Sequence, residues 1–288
     1  MGTTVMNQIE SRLDGLTKLQ KKLANFVLSD PIQAAFMTVD QLSHAVGVST
    51  ATVVRFSTEL GYSGYTEFQG KLQEHLKDRA KPSSKLQLRM ESSASAGQKQ
   101  DITTTTTQLA LENIERTFEG LSPQNLEIIA DKVLRAEKIY CAGMRTSLCV
   151  SSYLGYNLGR MLDAPCTVCS NSGELPEQIR KLTDKDVVFV ITMSRYSRQI
   201  VEFAKLAKKK NATVIAFTDK YVSPLSGCSD YQLVAKAASD GFHNSVVAFC
   251  YLVDVLLSIC CRKAPEQINR NLKASEQVLY DTNFMIES

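Results

Sequence analysis

Between residues 138 and 234, five short apolar runs alternate with longer amphipathic stretches, and this alternation restricts the fold more than any other feature. The runs are rich in β-branched and aromatic residues and have the length of buried strands. They are Lys138–Ala142, Pro165–Cys169, Val187–Thr192, Thr213–Thr218 and Tyr231–Val234. Buried strands that alternate with helices form parallel sheets with both faces covered. We therefore predict an α/β domain built on a doubly wound parallel sheet.

The rest of the chain divides by composition. Apolar residues before residue 81 recur at helical spacing, which predicts an all-α domain over residues 1–80. Residues 81–107 are poor in large apolar side chains and rich in Ser, Gln, Lys and Thr, as is typical of a domain boundary. We therefore expect a linker over residues 81–107 and the α/β domain over residues 108–288. Within that domain, helices are predicted at Ser147–Leu162, Leu175–Leu182 and Arg198–Lys210.

Size and charge exclude several classes of protein. A chain of 288 residues can bury two separate cores. The formal net charge is only +3, so a nucleic-acid-binding function must rest on a motif and not on a strong overall field. The longest apolar run, Val246–Val253, is far shorter than the roughly 20 residues of a membrane span, and residues 1–10 lack the pattern of a signal peptide. We expect a cytoplasmic protein without membrane segments.

The eight cysteines fit a reducing compartment. Those in apolar segments are expected to be packing residues: Cys141, Cys149, Cys250, Cys260 and Cys261. Cys166 and Cys169 have the spacing of a zinc or redox motif, but no second Cys or His pair follows at a ligand-like interval. The sequence therefore predicts neither a metal site nor a cofactor.

Two short helices joined by a tight glycine turn are predicted in the first domain. Thr38 and Gln41 form a capping box that begins one helix, and Gly47 ends it. Ser49 then caps a second helix over Thr50–Leu60. The apolar positions and the small residue at the crossing satisfy the helix-turn-helix pattern: Leu42, Ser43, Val46, Val48, Val53 and Phe56.

The remaining side chains of the second helix should face outward: Ser49, Thr50, Ala51, Val54, Arg55 and Thr58. Small polar residues let a helix approach a DNA groove. Ser49 and Thr50 can donate to phosphate, and Arg55 can pair with guanine or phosphate. We predict that this helix reads double-stranded operator DNA. The alternative is an ordinary helical hairpin.

The stretches Val48–Phe56 and Leu60–Phe68 closely resemble the helix-turn-helix of the RpiR family of bacterial regulators. The second domain resembles the sugar isomerase (SIS) domain that those regulators carry. The resemblance implies DNA-binding homodimers, or dimers of dimers, that respond to a phosphosugar. Within these two stretches, Thr52, Tyr62 and Tyr65 are further candidates for DNA contact.

A ligand site is predicted beyond the carboxyl ends of the strands, where loops meet helix N-termini. Two such loops combine hydroxyl groups, arginines and backbone amides that can hold an anion. Their candidate residues are Gly143, Arg145, Ser147, Thr192, Ser194, Arg195 and Ser197. Asp219 is expected at the rim after the fourth strand, and His243 lies before the long apolar helix. For His243, a structural capping role is the preferred interpretation.

One departure from the SIS pattern affects the ligand class. Where the phosphosugar loop usually has glycine after its second serine, this chain has Arg195, which can strengthen anion binding or block the usual phosphate position. Arg145 also replaces a small residue, so an effector with two anionic groups is one expectation. The small anionic effector is a phosphosugar, a sugar acid or a carboxylate. Alternatively, both arginines are exposed surface charges.

These features favour a transcription regulator that is not an enzyme and has no catalytic residues. The alternative is a phosphosugar isomerase or a SIS-type sugar-phosphate-binding protein. Isomerisation needs a base and a proton-transfer partner placed together, and no glutamate adjoins His243 in the sequence. One helix-turn-helix buries too little surface for specific binding, so we also expect a dimer that reads a palindrome.

Overall fold

A computed structural model describes residues 5–79, 83, 84, 86, 101–170 and 173–284. The chain divides into two units, residues 1–95 and 96–288. The described part of the first unit is helical, apart from its turns. Its helices are α1 (Val5–Arg12), α2 (Lys18–Ser29), α3 (Pro31–Phe36), α4 (Val39–Val46), α5 (Thr50–Glu59) and α6 (Tyr65–Arg79).

A single apolar core holds these helices together, because each contributes a buried face at helical spacing. Ile9, Leu23 and Leu42 are fully buried, and Phe56 of α5 packs edge-to-face on Phe68 of α6 with ring centroids 5.7 Å apart. Aromatic pairs in this geometry stabilise a core beyond the area that they bury. The all-α first domain predicted from the sequence is confirmed.

The second unit contains the predicted parallel sheet. Within residues 101–170 and 173–284, its strands are β1 (Ile139–Gly143), β2 (Cys166–Cys169), β3 (Val187–Ile191), β4 (Thr213–Thr218) and β5 (Tyr231–Val234). They pair in parallel in the order β2-β1-β3-β4-β5. Each strand begins and ends within one residue of its predicted position. The doubly wound α/β fold is thereby confirmed.

Helices cover both faces of the sheet. They are α7 (Ile102–Phe118), α8 (Pro123–Leu134), α9 (Ser147–Met161), α10 (Leu175–Lys181), α11 (Arg198–Lys209), α12 (Val247–Lys263) and α13 (Pro265–Asp281). Alternate residues of a strand point to opposite faces. In β1, Ile139 and Cys141 therefore pack with α8, α9 and α12, whereas Tyr140 and Ala142 pack with α10 and α11.

The predicted linker is shorter than residues 81–107, because α7 already begins at Ile102. Asp101 caps this helix by accepting hydrogen bonds from the amides of Thr103 and Thr104. The threonine run that we interpreted as linker is therefore the first part of a helix. Most of the remaining predicted linker lies outside the described residues.

The cysteines are free thiols, and burial raises the pKa of Cys166 to about 11 and that of Cys169 to about 12. Cys149 and Cys261 are exposed, so our expectation that they are packing residues is wrong for these two. Their helix faces turn to solvent. Among the described residues, no cluster of His, Cys, Asp or Glu could hold a metal ion, and no helix is long and apolar enough to cross a membrane.

Candidate functional site

The helix-turn-helix has the geometry that its sequence predicts. At the start of α4, the amide of Thr38 donates to Gln41 Oε1 (2.8 Å) and Thr38 Oγ1 accepts from the amide of Gln41 (3.2 Å). Gly47 ends α4 in the left-handed region at φ +70°. Ser49 then caps α5 by accepting from the amide of Thr52 (3.2 Å). Each local signal is therefore realised as a helix start or end.

Helix α5 has one buried and one exposed face. Val53, Phe56 and Ser57 are buried, and the Ser57 hydroxyl donates to the carbonyl of Val53. The six residues predicted to face outward are all exposed: Ser49, Thr50, Ala51, Val54, Arg55 and Thr58. The outer face of α5 is thus small at its N-terminal end and carries one cation.

Two of the predicted DNA contacts do not fit this face. Tyr65 is only 8% exposed, and its hydroxyl donates to the carbonyl of Met37 at 2.8 Å. The half-buried Tyr62 donates its hydroxyl to Gln8 and packs its ring on Phe68. Both phenols bind within the helical unit, so we withdraw Tyr65 and Tyr62 as DNA contacts. The sequence around each tyrosine is compatible with a buried side chain and with an exposed one, so it did not decide between a core position and a DNA contact.

Thr52 is half-buried, and its hydroxyl lies 2.8 Å from that of Ser49. Either hydroxyl can donate in this contact, so one of the two protons remains for an outside acceptor. Thr52 therefore acts with Ser49 at the N-terminus of α5. The pair can offer one hydrogen bond to a phosphate in addition to the free amides of the first turn.

In the second unit, β1 and β3 bring the two predicted ligand loops to one edge of the sheet. The strands are adjacent, with Gly143 opposite Ile191 at their carboxyl ends. The loop after β1 leads into α9, and the loop after β3 leads into α11. The carboxyl ends of parallel strands at a change in strand order are the usual ligand position of such folds.

Both arginines of these loops adopt left-handed backbone conformations. Arg145 has φ +57° and Arg195 has φ +69°, a region that costs an ordinary L-residue about 1–2 kcal/mol. Strain of this kind, kept in a loop, is a reason to look for function. The fold tolerates it at equivalent loops of two adjacent strands.

The charge of Arg145 acts on the guanidinium group of Arg195. Partial burial and the charge of Arg145 both lower the pKa of Arg195. Within the described residues, no carboxylate forms an ion pair with either arginine, and both side chains are exposed. Two arginines on neighbouring loops therefore share this edge of the sheet, and neither forms an ion pair within the described residues. An anion between them relieves this repulsion.

The two helix N-termini differ in the amides that they offer. At α9, the amides of Ser147, Leu148 and Cys149 donate to the carbonyls of Met144, Arg145 and Thr146, respectively, at 3.1–3.3 Å. Our expectation of free amides in the first turn of α9 is therefore wrong, because a tight turn uses them. At α11, the amide of Ser197 donates to Thr192 Oγ1 at 3.2 Å, and Ser197 has no side-chain capping bond.

Asp219 lies beneath the loop after β3. It is 8% exposed and accepts hydrogen bonds from the hydroxyl of Ser194 and from that of Tyr196 (2.8 Å). Burial, followed by the charge of Asp219, raises the pKa of Tyr196 far above its ordinary value. The sequence placed Asp219 at the rim, but the structure places it under the loop. Tyr196 was missed because a tyrosine in a loop carries no specific signal.

Gly143 has a packing role in addition to the ligand contact predicted for it. A Cβ on Gly143 would lie 2.5 Å from the carbonyl oxygen of Ser147, so glycine here allows α9 to pack on β1. His243 is exposed, and α12 begins only at Val247 without a side-chain cap. Our expectation that His243 caps this helix is therefore wrong. Instead, Asn244 Nδ2 donates to the carbonyl of Ser194 at 3.3 Å.

Of the remaining predicted ligand residues, Ser147 and Thr192 are buried and Ser197 is half-buried. Thr192 supports the turn through its bond from Ser197. Ser147 is 4% exposed and is the first residue of α9.

Comparisons with known proteins agree with both halves of the chain. The profile of the helix-turn-helix domain, rpiR family, matches residues 3–79, and that of the SIS domain matches residues 132–259. An HTH-type transcriptional regulator of Caldanaerobacter subterraneus subsp. tengcongensis is 26% identical over 96% of this chain and 97% of its own. The HTH-type transcriptional regulator HexR of Pseudomonas aeruginosa is 26% identical over 74% of this chain and 73% of its own.

Solved structures show the same fold. The Vibrio vulnificus NanR protein complexed with ManNAc-6P covers 99% of this chain and 100% of its own, with a TM-score of 0.69 and 24% identity. The sugar isomerase domain of an RpiR transcription factor from Sphaerobacter thermophilus covers 62% of this chain and 99% of its own, with a TM-score of 0.60 and 25% identity. The protein belongs to the RpiR family of HTH-type transcriptional regulators, with a SIS domain following its DNA-binding domain.

Proposed function

We propose that α5 binds operator DNA and that the SIS domain senses a small anionic metabolite, which changes the affinity for the operator. The second part of this proposal rests on Arg145 and Arg195, which lie with left-handed backbones on the loops that follow the adjacent strands β1 and β3. Two cations without carboxylate partners, at the carboxyl edge of a parallel sheet, favour a ligand of negative charge.

The N-terminus of α11, where Ser197 makes no side-chain capping bond, supports the same site. A phosphosugar and a sugar acid both have suitable charge. NanR, which shares the fold, was solved with ManNAc-6P, and this agrees with a phosphosugar as a candidate. The regulator relatives favour a sensor over a phosphosugar isomerase.

The first experiment tests DNA binding. A gel-shift assay with the DNA upstream of the protein's own gene should show a specific complex, and Arg55→Ala should weaken it. An equally strong complex with unrelated DNA of the same length, at the same salt concentration, would contradict an operator-specific regulator. Phosphate contacts alone are independent of sequence.

A second experiment tests sensing. Glucose 6-phosphate, fructose 6-phosphate, 6-phosphogluconate, inorganic phosphate and succinate are titrated at constant ionic strength. A ligand that binds only the folded protein raises its melting temperature. We expect at least one hydroxylated anion to do so and to change the gel shift. Turnover of a phosphosugar without any effect on DNA binding would favour the isomerase instead.

We also propose that the protein acts as a homodimer or a dimer of dimers. A single helix-turn-helix module buries about 600–1,000 Å² of protein surface on DNA, which is at the low end for specific binding. Two copies that read half-sites about one helical turn apart double this area. Sedimentation of a monomer at micromolar concentration, with and without operator DNA, would contradict this.

A further inference from the structure

Helices α9 and α12 run in the same direction over one face of the sheet. Helix α9 leaves the carboxyl end of β1 and leads to the start of β2. Helix α12 also begins at the carboxyl edge, because Asn244, just before it, donates to the carbonyl of Ser194 in the loop after β3. It ends where Lys263 pairs with Asp131, in the last turn of the helix that leads into β1. Both helices pack into the same apolar core, so equivalent turns of the two lie side by side.

A hydrogen bond sets the register of these two helices. The hydroxyl of Tyr153 on α9 donates to Asp254 Oδ1 on α12 at 2.7 Å. One turn nearer the N-terminus of each helix lie Cys149 and Cys250. Burial, followed by the charge of Cys149, raises the pKa of the Cys250 thiol, so the two sulfur groups are close enough to interact. The packing of α9 on α12 therefore pairs two cysteines that are far apart in the sequence.

This pair differs from the other cysteines in its accessibility. Cys149 is exposed and Cys250 is half-buried, so a small oxidant can reach the pair. Another exposed thiol, Cys261, adjoins Cys260, which is fully buried in the core. Cys149 therefore combines exposure with a neighbouring thiol that is itself only half-buried. Accessible thiols next to a second cysteine are the ones that oxidise reversibly in proteins.

Cys149 is also connected to the ligand loop after β1. Its thiol donates to the carbonyl oxygen of Thr146 at 2.9 Å, in the turn that contains Arg145 at φ +57°. A sulfur in a disulfide has no proton to donate, so oxidation of Cys149 removes this hydrogen bond. On the other helix, the amide of Cys250 donates to the carbonyl of Val246 (2.9 Å) in the first turn of α12. A bond between the two sulfurs joins the first turns of both helices at the edge that carries the ligand loops.

We propose that Cys149 and Cys250 are a site of reversible oxidation, at which a hydroperoxide converts the two thiols into a disulfide between α9 and α12. Disulfides that form transiently in a reducing compartment serve redox sensing. Oxidation needs no bound anion, so this site is tested separately from the proposed metabolite sensing.

The exposed Cys149 reacts first. Its thiolate attacks one peroxide oxygen, the O–O bond breaks, the other oxygen leaves as an alcohol or as water, and Cys149 becomes a sulfenic acid. The sulfur of Cys250 then attacks that of Cys149. The S–S bond forms, the S–O bond breaks, and the hydroxide leaves as water with the proton of Cys250. The two thiols thereby give two electrons to the peroxide, and a dithiol reductant reverses the reaction.

Peptide mapping of the folded, full chain tests the link directly. The protein is treated with equimolar hydrogen peroxide, alkylated with N-ethylmaleimide before denaturation, and digested with trypsin. The tryptic peptide that contains Cys250 also contains Cys260 and Cys261, so fragmentation must identify the joined sulfur. We expect a link between Cys149 and Cys250 within one chain that dithiothreitol removes.

Serine variants test the order of the two steps. In Cys250→Ser, the sulfenic acid has no thiol to react with, so dimedone should label Cys149. In Cys149→Ser, Cys250 should stay reduced under the same conditions. Cys261→Ser is the control, because it removes an exposed thiol near the other end of α12 and should form the same link as the parent.

The result for the parent decides even if a variant folds poorly. A link from Cys149 to Cys260 or Cys261, a link between two chains, or full alkylation of Cys149 and Cys250 after peroxide overturns the proposal. Any of these outcomes leaves anion sensing intact. Conversely, a parent that forms the link but binds no anion of the panel keeps the oxidation site and loses the proposed sensing.

Discussion

Asn113 of α7 hydrogen-bonds both backbone groups of Ala238, donating from Nδ2 to the carbonyl oxygen (2.7 Å) and accepting at Oδ1 from the amide (3.0 Å). One turn later, Thr117 Oγ1 accepts from the amide of Lys236 at 2.9 Å. Both side chains are buried, with 2% of Asn113 exposed. Polar side chains thus attach α7 to the chain segment that follows β5.

We predict that Asn113→Ala lowers the free energy of unfolding of the second unit by about 1–2 kcal/mol, because two part-buried hydrogen bonds are lost. Urea unfolding measures this. Glu112→Ala is the control on the same helix, since it removes only an exposed pair with Arg116, worth less than about 0.5 kcal/mol. Equal effects of the two variants would show that Asn113 contributes no more than a surface residue.

Two glycines of the second unit should respond in opposite directions to alanine. Gly143→Ala places a Cβ 2.5 Å from a backbone oxygen, so we expect a loss of about 3 kcal/mol from displacement of α9. Gly159→Ala on exposed α9 surface meets Cys166 at an ordinary 3.6 Å and should gain about 0.5–1 kcal/mol from helix propensity. Thermal unfolding of both variants decides. A tolerated Gly143→Ala would mean that the contact between α9 and β1 is loose.

We predict that Arg195, with its left-handed backbone, contributes to ligand binding and not to folding stability. Arg195→Gly removes backbone strain and like-charge repulsion, and the added chain entropy of glycine partly offsets this, so unfolding should change by less than about 1 kcal/mol. The anion-induced rise in melting temperature should disappear. Asn211→Gly, at φ +62° in a helix-terminal position, should leave that response unchanged. If Arg195→Gly retains the full response to every anion, Arg195 does not bind the effector.

Arg55→Ala should weaken operator binding by about 1–3 kcal/mol if the guanidinium contacts a base, with no loss of folding stability because Arg55 is exposed. Fluorescence anisotropy at fixed salt measures the affinity. The control is Lys22→Ala, an exposed cation on α2 outside the helix-turn-helix. A deficit that is the same for operator and random DNA would identify a phosphate contact instead.

Tyr65→Phe should have the opposite profile. The loss of the hydrogen bond to Met37 should lower the free energy of unfolding by about 1 kcal/mol. The affinity of the folded protein for the operator should not change. Chemical unfolding and anisotropy on the same preparation separate the two effects. Reduced DNA affinity at unchanged stability would restore Tyr65 as a DNA contact.

Local signals in the sequence were sufficient for the elements and for the helix-turn-helix. Thr38 and Gln41 are three residues apart, and their reciprocal bonds depend only on that spacing and on helix geometry. The strands were located for a similar reason, because a run of β-branched residues of strand length between amphipathic stretches has few other solutions. The position of the ligand loops then followed from the topology of parallel sheets.

The sequence by itself therefore determined the two folds, the face of α5 that is exposed, and the sheet edge to which Arg145 and Arg195 belong. Only the tertiary structure decided which polar groups are already occupied. The proton of Ser194 is taken by Asp219, which lies 25 residues away, and the hydroxyl of Tyr65 is taken by Met37, 28 residues away. Hydrogen-bond partners at such separations depend on how whole elements pack, and no periodicity or spacing in the chain encodes them.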